Sequence, residues 1–551
     1  MLYIIREIKL LIIFLLQVIF RKFLNFGVIH FPINNDNNGN PKLLEFKNHK
    51  YKYFIRPYKK HLSLFSILNT HISKDINLML CYEIFKLQKI TKKISFKTKE
   101  DLMLPIGTNS EANFCKVKIN EKEKNIYLDP NKNYYLHLKK NENVDIESKN
   151  KILSGNFIKK NNFDSKKIKL NLIIFIDALT NKLTENKELF EKIMPNTKKF
   201  FSDGIYFSQH HSNSEWSLPS AANFFTGLNL EKHKIFHNSK HQKLNENIKT
   251  MGEIFSENNF VTFKINGSHR ISPSYGFAKG FDRSLYQLNM KSHDTIAHFK
   301  NFDEVFKNTN KFVWLTFFDV HGTGAPDYYE NELIGNNLFL DKKIKKKSVH
   351  LDKDNAAVNT YFEKCKFLDY QLKILYDHIE KEYQNNEILI SLVTDHGVSF
   401  FDDDKKLLGD QRVRIPWFIK GGNLNNLNNT GNEITENIDV MKSILELNKI
   451  NSDNYQLDGN LPKILGGKEK DYSISQSLYP EATYKCRIDF KKITIYYETE
   501  HKVDFHGKLN NFEKKSQNVL KEDISKKEID DYMQKGEELI EGIFKSLFQK
   551  K

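Results

Sequence analysis

The sequence predicts a three-layer α/β domain on a mostly parallel sheet, with a small C-terminal antiparallel sheet and a β-rich N-terminal domain. Three observations carry this. Almost wholly apolar runs of strand length recur from residue 170 onward, at 170–176, 312–318 and 388–393. They alternate with helix-length stretches whose apolar residues recur every three or four positions. The regions before and after this block alternate with period two instead. Strands apolar on both faces belong to parallel sheets covered by helices on both sides, joined by right-handed crossovers.

The chain opens on an apolar segment, here bounded as 1–30. Residues 10–20 read Leu-Leu-Ile-Ile-Phe-Leu-Leu-Gln-Val-Ile-Phe, with Arg6 and Lys9 before them and Arg21 and Lys22 after. A helix this short cannot cross a hydrocarbon core of about 30 Å, and no small-residue cleavage site follows. A membrane-associating anchor with basic flanks is one reading and a buried helix the other. Residues 41–158 form the expected β-rich accessory domain. Its strands are 51–55, 114–119 and 134–138, and Asp129-Pro130-Asn131 marks a turn. Packing, carbohydrate binding and partner binding all remain open for it.

A basic linker, 159–169, leads into the main α/β domain, 168–515. There the pattern predicts strands at 170–176, 204–211, 260–265, 312–318, 388–393 and 415–419. Helices are expected near 195–202, 248–257, 355–383 and 438–447. The helix 355–383 is amphipathic through Phe362, Cys365, Leu368, Leu372, Leu375 and Ile379. Residues 321–355 lack periodicity and carry Lys342-Lys343-Ile344-Lys345-Lys346-Lys347. Either a lid or a solvated surface loop fits them. Period two returns at 484–488, 493–497 and 503–505. The chain ends in an amphipathic helix, 522–551 in its widest bounds, with Ile529, Met533, Ile540, Ile543, Phe544 and Leu547 on one face.

At 551 residues two or more domains are expected. The net charge of +16 suits an anionic partner such as a membrane surface or a phosphorylated substrate, although Lys and Asn are abundant throughout. No nucleic-acid motif or aromatic-basic repeat is present, so nucleic acid is excluded as a reading. The four cysteines, Cys81, Cys115, Cys365 and Cys486, are far apart. That spacing argues against a disulfide framework or a thiolate metal site.

Chemistry concentrates around Asn213-Ser214-Glu215-Trp216-Ser217-Leu218-Pro219-Ser220, ending at Phe225-Thr226-Gly227. A strand enters this stretch and a short helix leaves it, with Ser217 near the N-cap and Gly227 at the end. An ordinary Ser cap is the plain alternative to a nucleophile. Three acids stand where apolar strands end: Asp177, Asp319 and Asp395, the last followed by His396. Open α/β sheets place their sites there. Asp177, Asp395 and His396, with Ser217, offer oxygen and imidazole donors for one divalent metal: Zn2+ first, with Mn2+ or Ca2+ as the other candidates.

These motifs jointly resemble the sulfatase branch of the alkaline phosphatase superfamily. Leu172-Ile173-Ile174-Phe175-Ile176-Asp177 resembles its first metal-ligand strand, and Ser217-Leu218-Pro219-Ser220 its nucleophile motif. Phe318-Asp319-Val320-His321 is similar to its Asp-Pro-His segment, Thr394-Asp395-His396-Gly397 to its second metal motif and Arg414-Ile415-Pro416 to the following strand. The resemblance implies attack by Ser217 on a phosphorus or sulfur ester. It also implies His321 as proton donor or anion ligand, and substrate contacts from His269, Arg270, Asp319 and Arg414. Two departures matter. The maturation motif of sulfatases ends in Arg where this chain has Ala221, and their paired acids on the first strand are here Asp177-Ala178. The remaining set looks more like the phosphoethanolamine and phosphoglycerol transferases, which use an unmodified hydroxyl. The expected function is therefore metal-dependent transfer of a phosphoethanolamine, phosphoglycerol or phosphoramidate-type group onto a cell-surface glycan or lipid, from a nucleotide- or lipid-linked donor. A sulfuric ester hydrolase, a phosphodiesterase and a non-catalytic binding descendant are the alternatives. The expected location is the bacterial inner membrane, at its cytoplasmic face or as an exported, signal-anchored form.

Overall fold

The computed structural model describes residues 43–45, 52–57, 82–108, 113–129, 134–159, 163–236, 244–287, 290–321, 355–401, 408–422, 424, 427, 429–504 and 507–548. The expected N-terminal anchor and the 322–354 part of the aperiodic segment lie outside these residues. No helix among the described residues is long and apolar enough to cross a membrane.

The chain divides into two compact units. The first comprises Met1–Asn162, Ser239–Glu246 and Ser272–Leu288, the second the remainder. The first unit is the β-rich region expected from alternation. Its spine is two long antiparallel strands, Tyr82–Lys97 and Asn143–Gly155, which the sequence reading did not single out. The Asn113–Ile119/Lys122–Leu128 hairpin and the strand Leu102–Thr108 both pair with Asn143–Gly155. Ile94, Leu104, Ile106, Val117, Ile146 and Ile152 fill the core. A strand from far along the chain, Arg283–Tyr286, joins this unit antiparallel to Tyr82–Lys97, so the unit extends beyond 41–158.

The second unit holds a sheet of seven described strands. In chain order they are β1 Leu170–Ile176, β2 Ile205–His211, β3 Val261–Asn266, β4 Lys311–Phe317, β5 Ile388–Thr394, β6 Trp417–Gly421 and β7 Thr430–Glu436. Their spatial order is β3-β4-β1-β5-β6-β2-β7, with only β6 antiparallel to its neighbours. Every residue of β1, β4 and β5 is buried, which explains their mostly apolar sequences. β1 pairs in exact step with both neighbours: Ile176 stands opposite Phe317 on one side and Thr394 on the other. The next residues, Asp177 and Asp395, therefore leave the sheet side by side.

The helix Ser217–Thr226 is buried along its whole length. Phe225 stacks on Trp314 of β4 at 4.3 Å, and Phe224 meets Phe175 of β1 edge-on at 5.8 Å. The helix stops at Gly227, whose φ of +63° accommodates the left-handed turn that closes on Asn223 O. A second sheet of four antiparallel strands, Tyr472–Ser477, Thr483–Phe490, Ile493–Lys502 and Lys514–Leu520, carries the C-terminal helix Lys526–Phe548. Ile540, Ile543 and Phe544 of that helix pack against Tyr484, Cys486, Ile488 and Ile495. The last strand is an exposed edge with no buried face, so it shows no alternation in sequence. The strand expected at 503–505 is absent: Ile493–Lys502 ends just before it, and residue 505 lies outside the described residues.

Candidate active site

The site forms where β1 and β5 end against the start of the buried helix. Ser217 is the first residue of that helix, with Trp216 rather than Ser217 in the cap position. Its hydroxyl makes no capping bond. It donates to Asp177 Oδ2 at 3.3 Å and lies 3.3 Å from His396 Nε2. The ordinary role of a serine at a helix start is thus replaced by contact with two strand-end ligands.

Asp177, Asp395 and His396 are fully buried, and their ligand atoms lie within 4.8 Å of one another. His396 Nε2 stands 3.3 Å from Asp395 Oδ2 and 3.9 Å from Asp177 Oδ1. Neither of those two carboxylate oxygens has a hydrogen-bond partner. His396 Nδ1 lies 2.9 Å from Gly397 O, so it carries the proton and turns the Nε2 lone pair inward. Burial, and then Asp395, push the Asp177 carboxyl well above the usual range, and burial raises Asp395 as well. Burial, and then the Arg412 charge, hold His396 neutral. Bare buried carboxylate oxygens beside a neutral, oriented imidazole fit one divalent cation, and the O/N donor set suits Zn2+ or Mn2+.

Backbone bonds hold these ligands in place. Asp395 Oδ1 accepts from Ala178 N and His396 N, both at 2.9 Å. Ala178 adopts a φ of +66°, a left-handed conformation uncommon for a residue with a side chain, and this aims its N–H at Asp395. Tyr361, from the helix Asn355–Glu382, bonds Ala178 O at 3.0 Å and Thr180 N at 2.9 Å. Asp395 O accepts from Ser212 Oγ and, at 2.9 Å, from Ser220 Oγ. Asn437 Nδ2 donates to both of those hydroxyls, and Asn437 Oδ1 faces His210 Nε2 at 3.0 Å. Strand Tyr472–Ser477 runs beside the segment feeding Ser217: Gln476 N bonds Asn213 O at 2.9 Å and Ser475 Oγ bonds Ser212 O at 2.6 Å.

The other expected residues divide. His321 Nε2 is 3.9 Å from Asp177 Oδ1, its ring is stacked on Phe318, and it is 21 % exposed, at the solvent side of the buried trio. Arg270 lies over the Trp216 indole at 5.6 Å with its Nε unpartnered, and its charge lowers the Asp177 pKa. His269 begins the same turn, and its side chain lies outside the described residues. Asp319 Oδ1 instead accepts from Ser292 N and Oγ, which ties the end of β4 to the start of helix Ser292–Val305. Arg414 reaches Glu185 at 3.2 Å rather than the buried trio. Sequence reading missed Asn437 and Arg412. Arg412 is fully buried and bonds Gly397 O at 2.8 Å. No motif pointed to it, and only its burial sets it apart from the many surface cations.

The sulfatase family model matches residues 170–450, which is half of the chain. A search of curated proteins found no match. Among solved structures, the phosphonate monoester hydrolase of Silicibacter pomeroyi is 13% identical, with a TM-score of 0.51, covering 68% of this chain and 95% of its own. A 2-O GAG sulfatase is 14% identical, TM-score 0.50, covering 69% and 92%. A protein solved with its substrate D-glucosamine-2-N,6-O-disulfate is 13% identical, TM-score 0.50, covering 69% and 98%. At these identities the structures speak for the fold, and the family model speaks for descent. The chain therefore belongs to the sulfatase family and is an enzyme of the sulfatase-like hydrolase type.

Proposed function

We propose that this enzyme transfers a phosphorus-containing group, of phosphoethanolamine, phosphoglycerol or phosphoramidate type, through a covalent adduct on Ser217. The observation that carries the reading is Ser217 itself. It is a plain hydroxyl 3.3 Å from both Asp177 and His396, in a motif with Ala221 where maturation to formylglycine calls for Arg. Asp177, Asp395, His396 and Ser217 would hold the divalent cation. When bound, it supplies Lewis acidity that lowers the pKa of the hydroxyl and polarises the ester.

The chain's own residues do the rest. Asp177 Oδ2, 3.3 Å away, takes the Ser217 proton as the oxygen attacks phosphorus. The bond from phosphorus to the leaving oxygen breaks, and His321, between the buried acids and solvent, suits proton delivery to that oxygen. A sugar hydroxyl or water then attacks the adduct and gives its proton to His321, while the bond from phosphorus to Ser217 breaks and the proton held at Asp177 returns to the Ser217 oxygen. Arg270 and the helix N-terminus supply positive potential for the non-bridging oxygens. The +16 charge agrees with an anionic membrane surface and a nucleotide- or lipid-linked donor, with a glycan as acceptor. Sulfuric ester hydrolysis is the second reading, favoured by the family itself.

Intact mass of the purified protein separates the two. A phospho-type adduct on Ser217, lost in Ser217→Ala together with turnover, is expected. Formylglycine at 217, or undiminished turnover by folded Ser217→Ala, would overturn the transfer reading.

A further inference from the structure

We propose that Arg412 is the clamp for the non-bridging oxygens of a tetrahedral phosphoryl or sulfuryl ester, a role that no motif of the chain assigns. The inference rests on the Ser217 reading for the location of the reacting centre. Its own support is separate. The Arg412 side chain has no exposure, yet its Nε and Nη2 have no hydrogen-bond partner. No ion pair joins it to a carboxylate among the described residues. Taking a guanidinium out of water is costly unless its donors are filled, and Nε with Nη2 is the edge that grips two oxygens of one anion in parallel.

The remaining nitrogen anchors the guanidinium next to the buried trio. Arg412 Nη1 donates to Gly397 O at 2.8 Å, the same oxygen that lies 2.9 Å from His396 Nδ1. The guanidinium and the candidate metal ligand therefore share one carbonyl, and the Arg412 charge acts on Glu215, Asp395 and Asp177, the buried acids around Ser217. The backbone closes the arrangement, with Gly397 N donating to Arg412 O at 2.9 Å. The short helix Asp410–Val413 that carries Arg412 is itself held from the second sheet: Arg487 Nη1 bonds Leu408 O at 2.9 Å, and Arg487 Nη2 grips Asp410. A site built to receive charge needs such rigid donors, already oriented before the substrate arrives. Arg414, two residues on, is engaged with Glu185 and does not share this position. Phosphate and sulfate esters present the same pair of oxygens, so both are candidates.

The test uses metal-loaded full-length protein in the Ser217→Ala background, which prevents adduct formation. Titration calorimetry with inorganic phosphate and, separately, inorganic sulfate gives the affinity before and after Arg412→Lys and Arg412→Gln. Each variant is also measured for metal content and melting temperature. The expected result is a loss of anion affinity of about 10- to 100-fold in both variants, since Lys cannot make the paired contact, with metal content unchanged. The tighter of the two anions in the parent identifies the ester class. Unchanged affinity in a folded variant overturns the proposal. So does affinity lost only together with metal, or failure of both variants to fold, because each makes Arg412 structural. Turnover retained by Ser217→Ala with anion affinity lost in Arg412→Lys would overturn the nucleophile and leave the clamp standing. The reverse pattern would do the opposite.

Discussion

Gly397 shows how little slack the site has, and replacing it by Ala puts that to a quantitative test. A Cβ built on Gly397 would lie 1.9 Å from Gln411 O and 3.0 Å from Gln411 C, both backbone atoms that no rotamer change can move. Restoring van der Waals spacing requires one backbone to retreat by more than about 1 Å. The segments involved are the His396 loop and the Asp410–Val413 turn, joined by the paired Gly397–Arg412 bonds. Strain of this kind costs about 1–3 kcal/mol, and a displacement near 1 Å at the reacting groups costs about 100-fold in rate. Gly397→Ala is therefore expected to lower the melting temperature by a few degrees and kcat/KM on an aryl phosphonate or sulfate ester by about 100-fold. Gly542 is the matched control. It lies on the exposed face of the C-terminal helix with nothing within 4 Å of its built Cβ, so Gly542→Ala should stabilise by about 0.5–1 kcal/mol. Gly397→Ala with parental turnover and melting temperature would refute the claim that this contact sets the site.

Three further outcomes are expected. Chelation should lower the melting temperature, and saturating Zn2+ or Mn2+ at about 100 times Kd should restore about 2.7 kcal/mol. Asp177→Asn should abolish that restoration, and a metal response surviving in the variant would remove Asp177 from the ligand set. Asn437→Ala strips support from Ser212, Ser220 and His210, so denaturant titration should register a loss of about 2–4 kcal/mol; a loss below about 1 kcal/mol would show that the network is dispensable. Lys264 is fully buried, with Ile271 O as its hydrogen-bond acceptor, and burial lowers its pKa to about 7. The unfolded chain holds that proton up to about pH 10.4, so stability should rise with pH between about 7 and 10. Lys264→Met should flatten this rise and stabilise the protein at pH 7 by about 2–4 kcal/mol; melting curves across that pH range that coincide for the two proteins would contradict it.

The sequence by itself determined the sheet-bearing elements and named the residues of the candidate centre. β1, β4 and β5 are buried on both faces, so their apolar runs announced both the strands and the acids at their ends. Gly227 ended the helix where expected, because a left-handed cap is a local requirement. The family resemblance rested on the same short motifs, and the 170–450 match agrees with it. Elements without a local signature escaped: the exposed edge strand Lys514–Leu520, and Arg283–Tyr286, whose partner lies nearly 200 residues earlier in the chain. Only the tertiary structure decided that the Ser217 hydroxyl faces Asp177 and His396 rather than its own helix. Only it separated Arg412, buried against Gly397, from Arg414 at Glu185, and revealed Asn437 behind the Asp395 carbonyl. Those assignments depend on strand register and on side chains meeting from segments 15 to 229 residues apart, and no local pattern encodes that.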